Sequence, residues 1–511
     1  MQHYQQFNTN QSPNSEVEEI TFLQLLDNFK ASMKRAFYEE DKIDRFCSTR
    51  GIPPSVLMEL MSENPLALCI PRDYGGFGGS VKENIAFISA ASYESLALSL
   101  TLGINNGLFI QPVAKYGQEA VKQKIFDQFL NNSSMGGLMI TEPDFGSDAL
   151  NMRTSFSEKD GFFHLSGKKH WAGLTGMANF WVLTARKRTE SGELMRDIDM
   201  FICDVNAPRQ KIVVEEYFEN LGLYQIPYGR NHIDVHIPKA QKLIPHTSGI
   251  QMLLDLLHRS RYQFPGMGLG FIKRILDEAI SHTKSRLVSS KRLFDYDQVQ
   301  QRLSRLQANF TICSAFCLKS GEVADLENNL SSNGLEANVI KSVTSDIMQE
   351  SAQSLLQLVG AKGYKLNHIA GRSVVDSRPF QIFEGSNDIL YHQIAESVLK
   401  MMKSTKENSL YKFLNGFTIH AADRIKSFVN FELNTKLPQR KLIELGQVIS
   451  RIVSMDLVLH LEEKGFRKDL IENALIILKQ EISTLLNTFH VENNTMVVVD
   501  YNEGGYWLDL V

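Results

Sequence analysis

Cysteine is scarce in this 511-residue chain, and the five present (Cys47, Cys69, Cys203, Cys313 and Cys317) are odd in number and scattered. That pattern argues against a disulfide framework and fits reduced thiols. Cys313 and Cys317 are four apart, yet no histidine or further cysteine lies near them. Core packing suits them better than ligation, and no metal is expected. Basic charge is not in excess either. A net charge of −4 gives no broad positive field, so nucleic acid is not an expected partner. No segment approaches about 18 uninterrupted apolar residues, so no membrane-spanning helix is expected. The opening "MQHYQQFNTNQSPNSEVEE" lacks the apolar core of a secretion signal and the arginines of a transit peptide. It reads as a disordered tail over residues 1–19, and the expected location is cytoplasmic. A dinucleotide loop is missing as well. "GMGLG" (Gly266 to Gly270) follows no strand and fails the Gly-x-Gly-x-x-Gly spacing, so it reads as small residues between closely packed helices.

What is there is apolar patterning at two periods. From residue 20 to 134 the pattern is helical, as in "ITFLQLLDNFKASMKRAFYEE" and "VKENIAFISAASYESLALSLTLGI", the second read as one long buried helix. From 135 to 245, short stretches rich in β-branched and aromatic residues alternate with turn residues: "GGLMI", "GFFHLSGKKHWAG", "FWVLTARK", "DIDMFICDV", "KIVVEEYF" and "NHIDVHI". Long helical patterns return over 246–402 and predict an antiparallel four-helix bundle. Residues 403–511 read as a helical extension closed by one or two short strands in "TMVVVDYNEGGYWLDLV". The fold class expected is α+β, mainly α: a helical domain, a central β domain, a bundle and an additional helical region.

One short stretch poses a chemical question. In "QIFEGSNDIL" the carboxylate of Glu384 follows Ile382 and Phe383, where burial is costly. Taken alone it reads as an exposed turn ahead of a helix capped at Ser386. Four other stretches change that reading. "PRDYGGFGG" (Pro71 to Gly79), "MITEPDFGSD" (Met139 to Asp148), "GKKHWAGLTGMANFWVLTAR" (Gly167 to Arg186) and "DEAISHTKSR" with "QVQQRL" stand in order before "LVGAKGY…VVDSRPFQIFEGSNDI". Together they resemble the acyl-CoA dehydrogenase family over residues 20 to 400, and the extension resembles, in position, that of long-chain members.

The resemblance implies FAD between the β domain and the bundle. Met139, Thr141, Gly146, Ser147, Trp171, Gly173, Ser386 and Asp388 fall at its cofactor positions. Thr141 would offer a hydroxyl to the flavin's pyrimidine edge, and the turn at Gly146 and Ser147 would meet the pyrophosphate. Trp171 would pack on the ring system, although a tryptophan in a strand is otherwise plain core. Arg286, Gln298, Gln357 and Gly360 would contact FAD held by a neighbouring subunit, which implies a homodimer or homotetramer. Ser147, Arg261 and Gly385 fall at substrate positions. Glu384 falls at the place of the catalytic base, which removes the α-proton of an acyl thioester as hydride leaves the β-carbon.

Several positions depart from the family. Gly173 stands where a Ser or Thr hydroxyl usually meets the flavin; its own N–H or Thr175 is the available substitute. Tyr224 and Val375 stand where arginines are usual, and "RLVSS" lacks an aromatic. His258 and Ser260 are not the usual pair beside Arg261. The implied substrate is an acyl-CoA or an acyl-carrier protein, and the implied acceptor is an electron-transfer flavoprotein or O2. An oxidase or monooxygenase on the same fold, or a relative that has lost catalysis, are the rival readings. For the extension, packing on the bundle is preferred to contact with a membrane surface.

Overall fold

The computed structural model describes residues 21–39, 51–434, 436–491 and 496–511. The expected tail over 1–19 and Cys47 lie outside the described residues. Six helices come first: α1 (Phe22–Lys34), α2 (Pro54–Ser62), α3 (Val81–Glu94), α4 (Leu96–Asn105), α5 (Gln111–Tyr116) and α6 (Glu119–Asn131). Capping boxes begin α1 and α3, Thr21 with Gln24 and Ser80 with Glu83. The stretch read as one long helix breaks at Ser95. That residue adopts an extended backbone, and its hydroxyl accepts from the Leu98 N–H, so it ends α3 and caps α4. From Leu96 to Tyr116 the chain is apolar and long enough to cross a bilayer, but 89% of its apolar window is buried inside the protein. It is the central core helix of this domain.

Seven strands follow: β1 (Gly136–Met139), β2 (Ser155–Lys159), β3 (Phe162–Gly173), β4 (Phe180–Arg188), β5 (Leu194–Asp204), β6 (Gln210–Tyr217) and β7 (Tyr228–Pro238). Their order is β1-β4-β2-β3-β7-β6, with β5 also on β4. β7 buries every second residue, the signature of a sheet with one face on the core. β2 was not anticipated; its "SFSEK" has a single apolar residue, Phe156, and pairs between two longer strands.

The bundle comprises α7 (Gly249–Arg261), α8 (Phe264–Ser285), α9 (Asp297–Val323), α10 (Gly334–Val359), α11 (Ile369–Ser377) and α12 (Asn387–Thr405), with a small hairpin of β8 (Leu287–Val288) and β9 (Lys291–Arg292) after α8. "GMGLG" lies inside α8 against α3. A Cβ on Gly270 would stand 1.9 Å from the Ser89 carbonyl oxygen, so glycine permits the close approach expected of it. The extension adds α13 (Leu410–Phe417), α14 (Lys426–Val429), α15 (Gln439–Glu463) and α16 (Lys468–His490). α15 packs on α12 and α9, and α16 packs on α9, so the extension lies on the bundle. The expected terminal strands are absent: residues 496–511 form turns and a single 3-10 turn, Trp507–Leu510. The run Val497 to Val499 has β propensity and no strand to pair with.

Candidate active site

Glu384 sits on a tight turn between the 3-10 turn Arg378–Gln381 and α12. Its φ is +53°, and Gly385 follows at +93°. A left-handed glutamate is a costly conformation, held here by its neighbours. Phe383 anchors the turn, its ring 4.9 Å from Phe380 and 6.1 Å from Phe264, while Ile382 points outward and is exposed. Below the turn, Lys341 donates to the Gly385 carbonyl at 2.7 Å and to Asn387 Oδ1 at 3.0 Å. Arg261 donates to the Glu384 carbonyl at 2.8 Å and to Asn338 Oδ1 at 2.6 Å. Arg261, expected at the substrate, is thus committed to the backbone of the turn, because its fork is buried and both of its Nη groups are engaged.

The carboxylate itself is enclosed. Ser260 Oγ donates to Glu384 Oε1 at 2.7 Å, and Oε2 is buried with no partner. Burial raises the pKa of Glu384; the Ser260 hydrogen bond and the charges of Arg261 and Lys341 oppose that rise without cancelling it. Lys341 is pushed down to about 7, chiefly by burial. A buried carboxyl with a raised pKa and one oxygen free of competing donors is suited to accept a proton from carbon.

A second constellation forms on the β domain. β3 carries a bulge between His170 and Ala172. Trp171 is the bulged residue, with φ at +56° and half of its surface exposed. It is therefore not a core tryptophan. Its ring leans on Phe218 at 4.5 Å. Thr141 lies beside it, half-buried, and its carbonyl accepts the His170 N–H at 2.8 Å. Behind both is a buried ion pair that the sequence did not announce. Lys169 Nζ is 3.0 Å from Glu142 Oε1 and also donates to the Ile140 carbonyl and Thr184 Oγ1. Glu142 in turn accepts the N–H groups of Arg153 and Thr154. Burial pushes Lys169 down to about 8. The pair ties β1, β3 and β4 together directly behind Thr141 and Trp171. Met139 has its side chain in the core and its carbonyl taken by Thr184, so no side-chain atom of it faces a ligand.

Gly146 and Ser147 lie exposed on the turn after Phe145, and a Cβ on Gly146 would meet nothing within 4 Å. Gly173 is different. A Cβ there would stand 2.9 Å from Ile104 Cδ1 and 3.3 Å from Tyr228 Cε1, so these side chains would have to shift to admit a larger residue. Thr175 does not replace the missing hydroxyl: its Oγ1 donates to the Ala172 carbonyl and accepts from Asn231, both buried.

The remaining expected residues gather elsewhere. Arg286, just past α8, shares one end of the bundle with His282, Lys362 and His368; burial lowers the His282 pKa, and the charges of the other three lower it further. Gln357, in the last turn of α10, and Gly360, its left-handed cap, are exposed near this cationic end, and Gln298 is exposed in the first turn of α9. Ser386 caps α12 through its backbone alone, and Asp388 is exposed in the helix's first turn, a favourable place for a negative charge. Next to Val375, Asp376 accepts the Leu223 N–H at 2.6 Å and is pushed up to about 6 by burial, with that hydrogen bond and Arg372 opposing. It shares a small cavity with Tyr224 and Arg274.

Comparison with known proteins places these features in a lineage. Family models described as acyl-CoA dehydrogenase N-terminal, middle and C-terminal domains match residues 25–133, 137–235 and 247–399. An acyl-CoA dehydrogenase of Bacillus subtilis is 25% identical over 346 residues, covering 67% of this chain and 88% of the relative. The very long-chain specific acyl-CoA dehydrogenase of Rattus norvegicus is 23% identical over 375 residues, 72% of this chain and 56% of its own length. Among solved structures, an acyl-CoA dehydrogenase of Bacillus anthracis complexed with FAD aligns over 94% of this chain and 90% of its own, with a TM-score of 0.73 at 17% identity.

Proposed function

The chain belongs to the acyl-CoA dehydrogenase family and is an FAD-dependent oxidoreductase, and we propose that it desaturates an acyl thioester between the α and β carbons with Glu384 as the base. The observation that carries this reading is the buried, unpartnered Oε2 of Glu384. The residues present fit FAD. Trp171 offers an exposed aromatic face held out by a bulge, Thr141 a hydroxyl beside it, and Gly146 and Ser147 an uncrowded turn for a pyrophosphate. Arg286, Gln298, Gln357 and Gly360 stand on the other end of the bundle and would serve FAD held by a second copy of the chain. A homodimer is accordingly part of the proposal. When bound, FAD supplies the two-electron acceptor for the β-hydrogen.

The chain's own groups do the rest. Glu384 Oε2 forms a bond to the α-proton, and the C–H electron pair becomes the new double bond as the β-hydrogen departs with its pair. The N–H of Glu384 is assigned to the thioester carbonyl, where negative charge develops. Ser260 holds Oε1, which leaves Oε2 as the working oxygen. Arg261 and Lys341 fix the turn from below through its two carbonyls. Phe383 and Phe380 exclude water on the inner side, which keeps the carboxylate basic. A cytoplasmic setting belongs to the same reading, supported by the free thiols of Cys69, Cys203, Cys313 and Cys317.

The test is to add a panel of acyl-CoA thioesters of graded chain length, and one acyl-carrier protein, to the yellow protein without oxygen. Bleaching of the oxidised flavin bands by one class of thioester supports the reading and names that class. Bound flavin that no thioester reduces overturns it. Admitting an electron-transfer flavoprotein or O2 afterwards identifies the acceptor.

A further inference from the structure

The extension carries a cluster of metal-ligating side chains far in sequence from the flavin machinery. His420 lies in the loop between α13 and the 3-10 turn Ala422–Ile425, and His460 and Glu463 lie on α15. Their ligand atoms are all within 4.8 Å of one another. Glu463 stands between the two rings: Oε1 is 3.1 Å from His420 Nδ1, and Oε2 is 3.6 Å from His460 Nδ1. His420 and His460 are each one quarter exposed and Glu463 is 57% exposed, so the cluster is open to an ion from solvent.

The support around the cluster is what distinguishes it from a surface ion pair. His460 Nε2 faces both oxygens of Glu322 at 3.2 Å, from the last turn of α9. A carboxylate on the far nitrogen fixes the tautomer with its proton on Nε2 and leaves the Nδ1 lone pair for a metal, the arrangement found behind most histidine ligands. The loop carrying His420 is fixed as well, since Asp456 Oδ1 accepts the N–H groups of His420 and Ala421. Asp456, His460 and Glu463 follow one another at four and three residues, along one face of α15. Two imidazoles and one carboxylate make a set suited to zinc, with the ion taking the place of the contact between His420 Nδ1 and Glu463 Oε1.

We infer that His420, His460 and Glu463 form a zinc-class divalent cation site, with Glu322 as its orienting carboxylate. The ion takes three protein ligands and one water. Bond lengths of about 2.0–2.2 Å require the three atoms to draw closer, which the exposed side chain of Glu463 can accommodate by rotation. The bound ion clasps the His420 loop to α15 and, through Glu322, to α9, so it joins the extension to the bundle. A second cluster, His164, Asp234 and His236 on the sheet, lacks this form. Its two imidazoles stack face to face, 4.4 Å apart at 14°, and His164 Nε2 is already paired with Asp234 Oδ1 at 2.8 Å.

The experiment uses the full-length protein, treated with chelator and titrated with zinc chloride against a chromophoric competitor. One equivalent is expected to bind and to raise the melting temperature. His420→Ala and Glu463→Gln should abolish that equivalent, and Glu322→Gln should weaken it about 10–100-fold. Glu463 is exposed, so its variant keeps the fold if the loop variant does not. The double variant His164→Ala, His236→Ala should keep the equivalent. Cobalt in place of zinc should give ligand-field bands without thiolate charge transfer, which separates this site from the buried cysteines. Wild-type protein that takes up no zinc, or uptake that survives Glu463→Gln, overturns the assignment.

Discussion

Ser260 donates its hydroxyl to Glu384 Oε1 at 2.7 Å, and that single bond decides which oxygen of the carboxylate is free. The serine stands one residue before Arg261, whose guanidinium holds the carbonyl of the same glutamate. The end of α7 therefore grips Glu384 at both its side chain and its backbone.

The first prediction concerns pH. A hydrogen bond to the ionised carboxylate favours that form, so Ser260 lowers the Glu384 pKa against the rise caused by burial. The base must be deprotonated to act, so kcat/KM rises with pH through the raised pKa. In Ser260→Ala that ascending limb should move to higher pH. A pH profile of anaerobic flavin reduction measures it, and an unmoved limb would remove Ser260 from this role.

The second concerns Trp171. Half exposed and on a bulge, it contributes little to the core, so Trp171→Ala should change the stability of flavin-free protein by no more than about 0.5 kcal/mol. Flavin affinity should fall about tenfold or more, as loss of an aromatic contact of about 1.4 kcal/mol implies. Thermal melts of the flavin-free protein and fluorescence titration with FAD separate the two effects.

The third concerns Lys341. Its folded pKa is depressed to about 7 from an ordinary 10.5, chiefly by burial. Below pH 7 the lysine is charged in both states, and the folded state carries the cost of burying that charge. Between about 7 and 10.5 the unfolded state binds more protons, so this group's contribution to stability grows as pH rises. The stability of the wild type relative to Lys341→Met should therefore improve across that window. At neutral pH the variant should lose about 1–3 kcal/mol, because the Gly385 carbonyl and Asn387 lose a buried donor. Denaturant melts at several pH values test both.

The fourth concerns the extension. Asp346 accepts from Gln381 and Asn387, which flank the Glu384 turn, and lies 3.6 Å from Arg451 of α15, which also pairs with Glu481 of α16. Arg451→Ala leaves Asp346 without its cation, while Glu481 keeps Arg305, and should cost about 1–3 kcal/mol. Flavin reduction should slow as well, since the turn loses its brace. Unchanged kinetics in a folded variant would show that the extension does not support the site.

The sequence carried the order of the motifs, and with it the sheet between two helical regions, the close helix contact at "GMGLG" and the placing of Glu384. It could not show the bulge at Trp171, because a twelve-residue strand with good β patterning gives no sign of one left-handed residue. Lys341 and the Lys169–Glu142 pair escaped notice because partners far apart in the chain satisfy each lysine. The signal available was a lysine on an otherwise apolar helix face in "ANVIKSV". Two local patterns misled: a long, mostly apolar stretch hid the cap at Ser95, and the valines of 497–499 have strand propensity where tertiary structure offers no partner.

The most direct test of the central claim is the rate of anaerobic flavin reduction by a reactive acyl thioester in wild type and Glu384→Gln. Glutamine keeps the shape of the turn and removes the base. The account predicts a yellow, folded variant that binds the thioester and is reduced about 10²–10⁴-fold more slowly. Reduction at the wild-type rate would contradict it, and would mean that another group takes the α-proton.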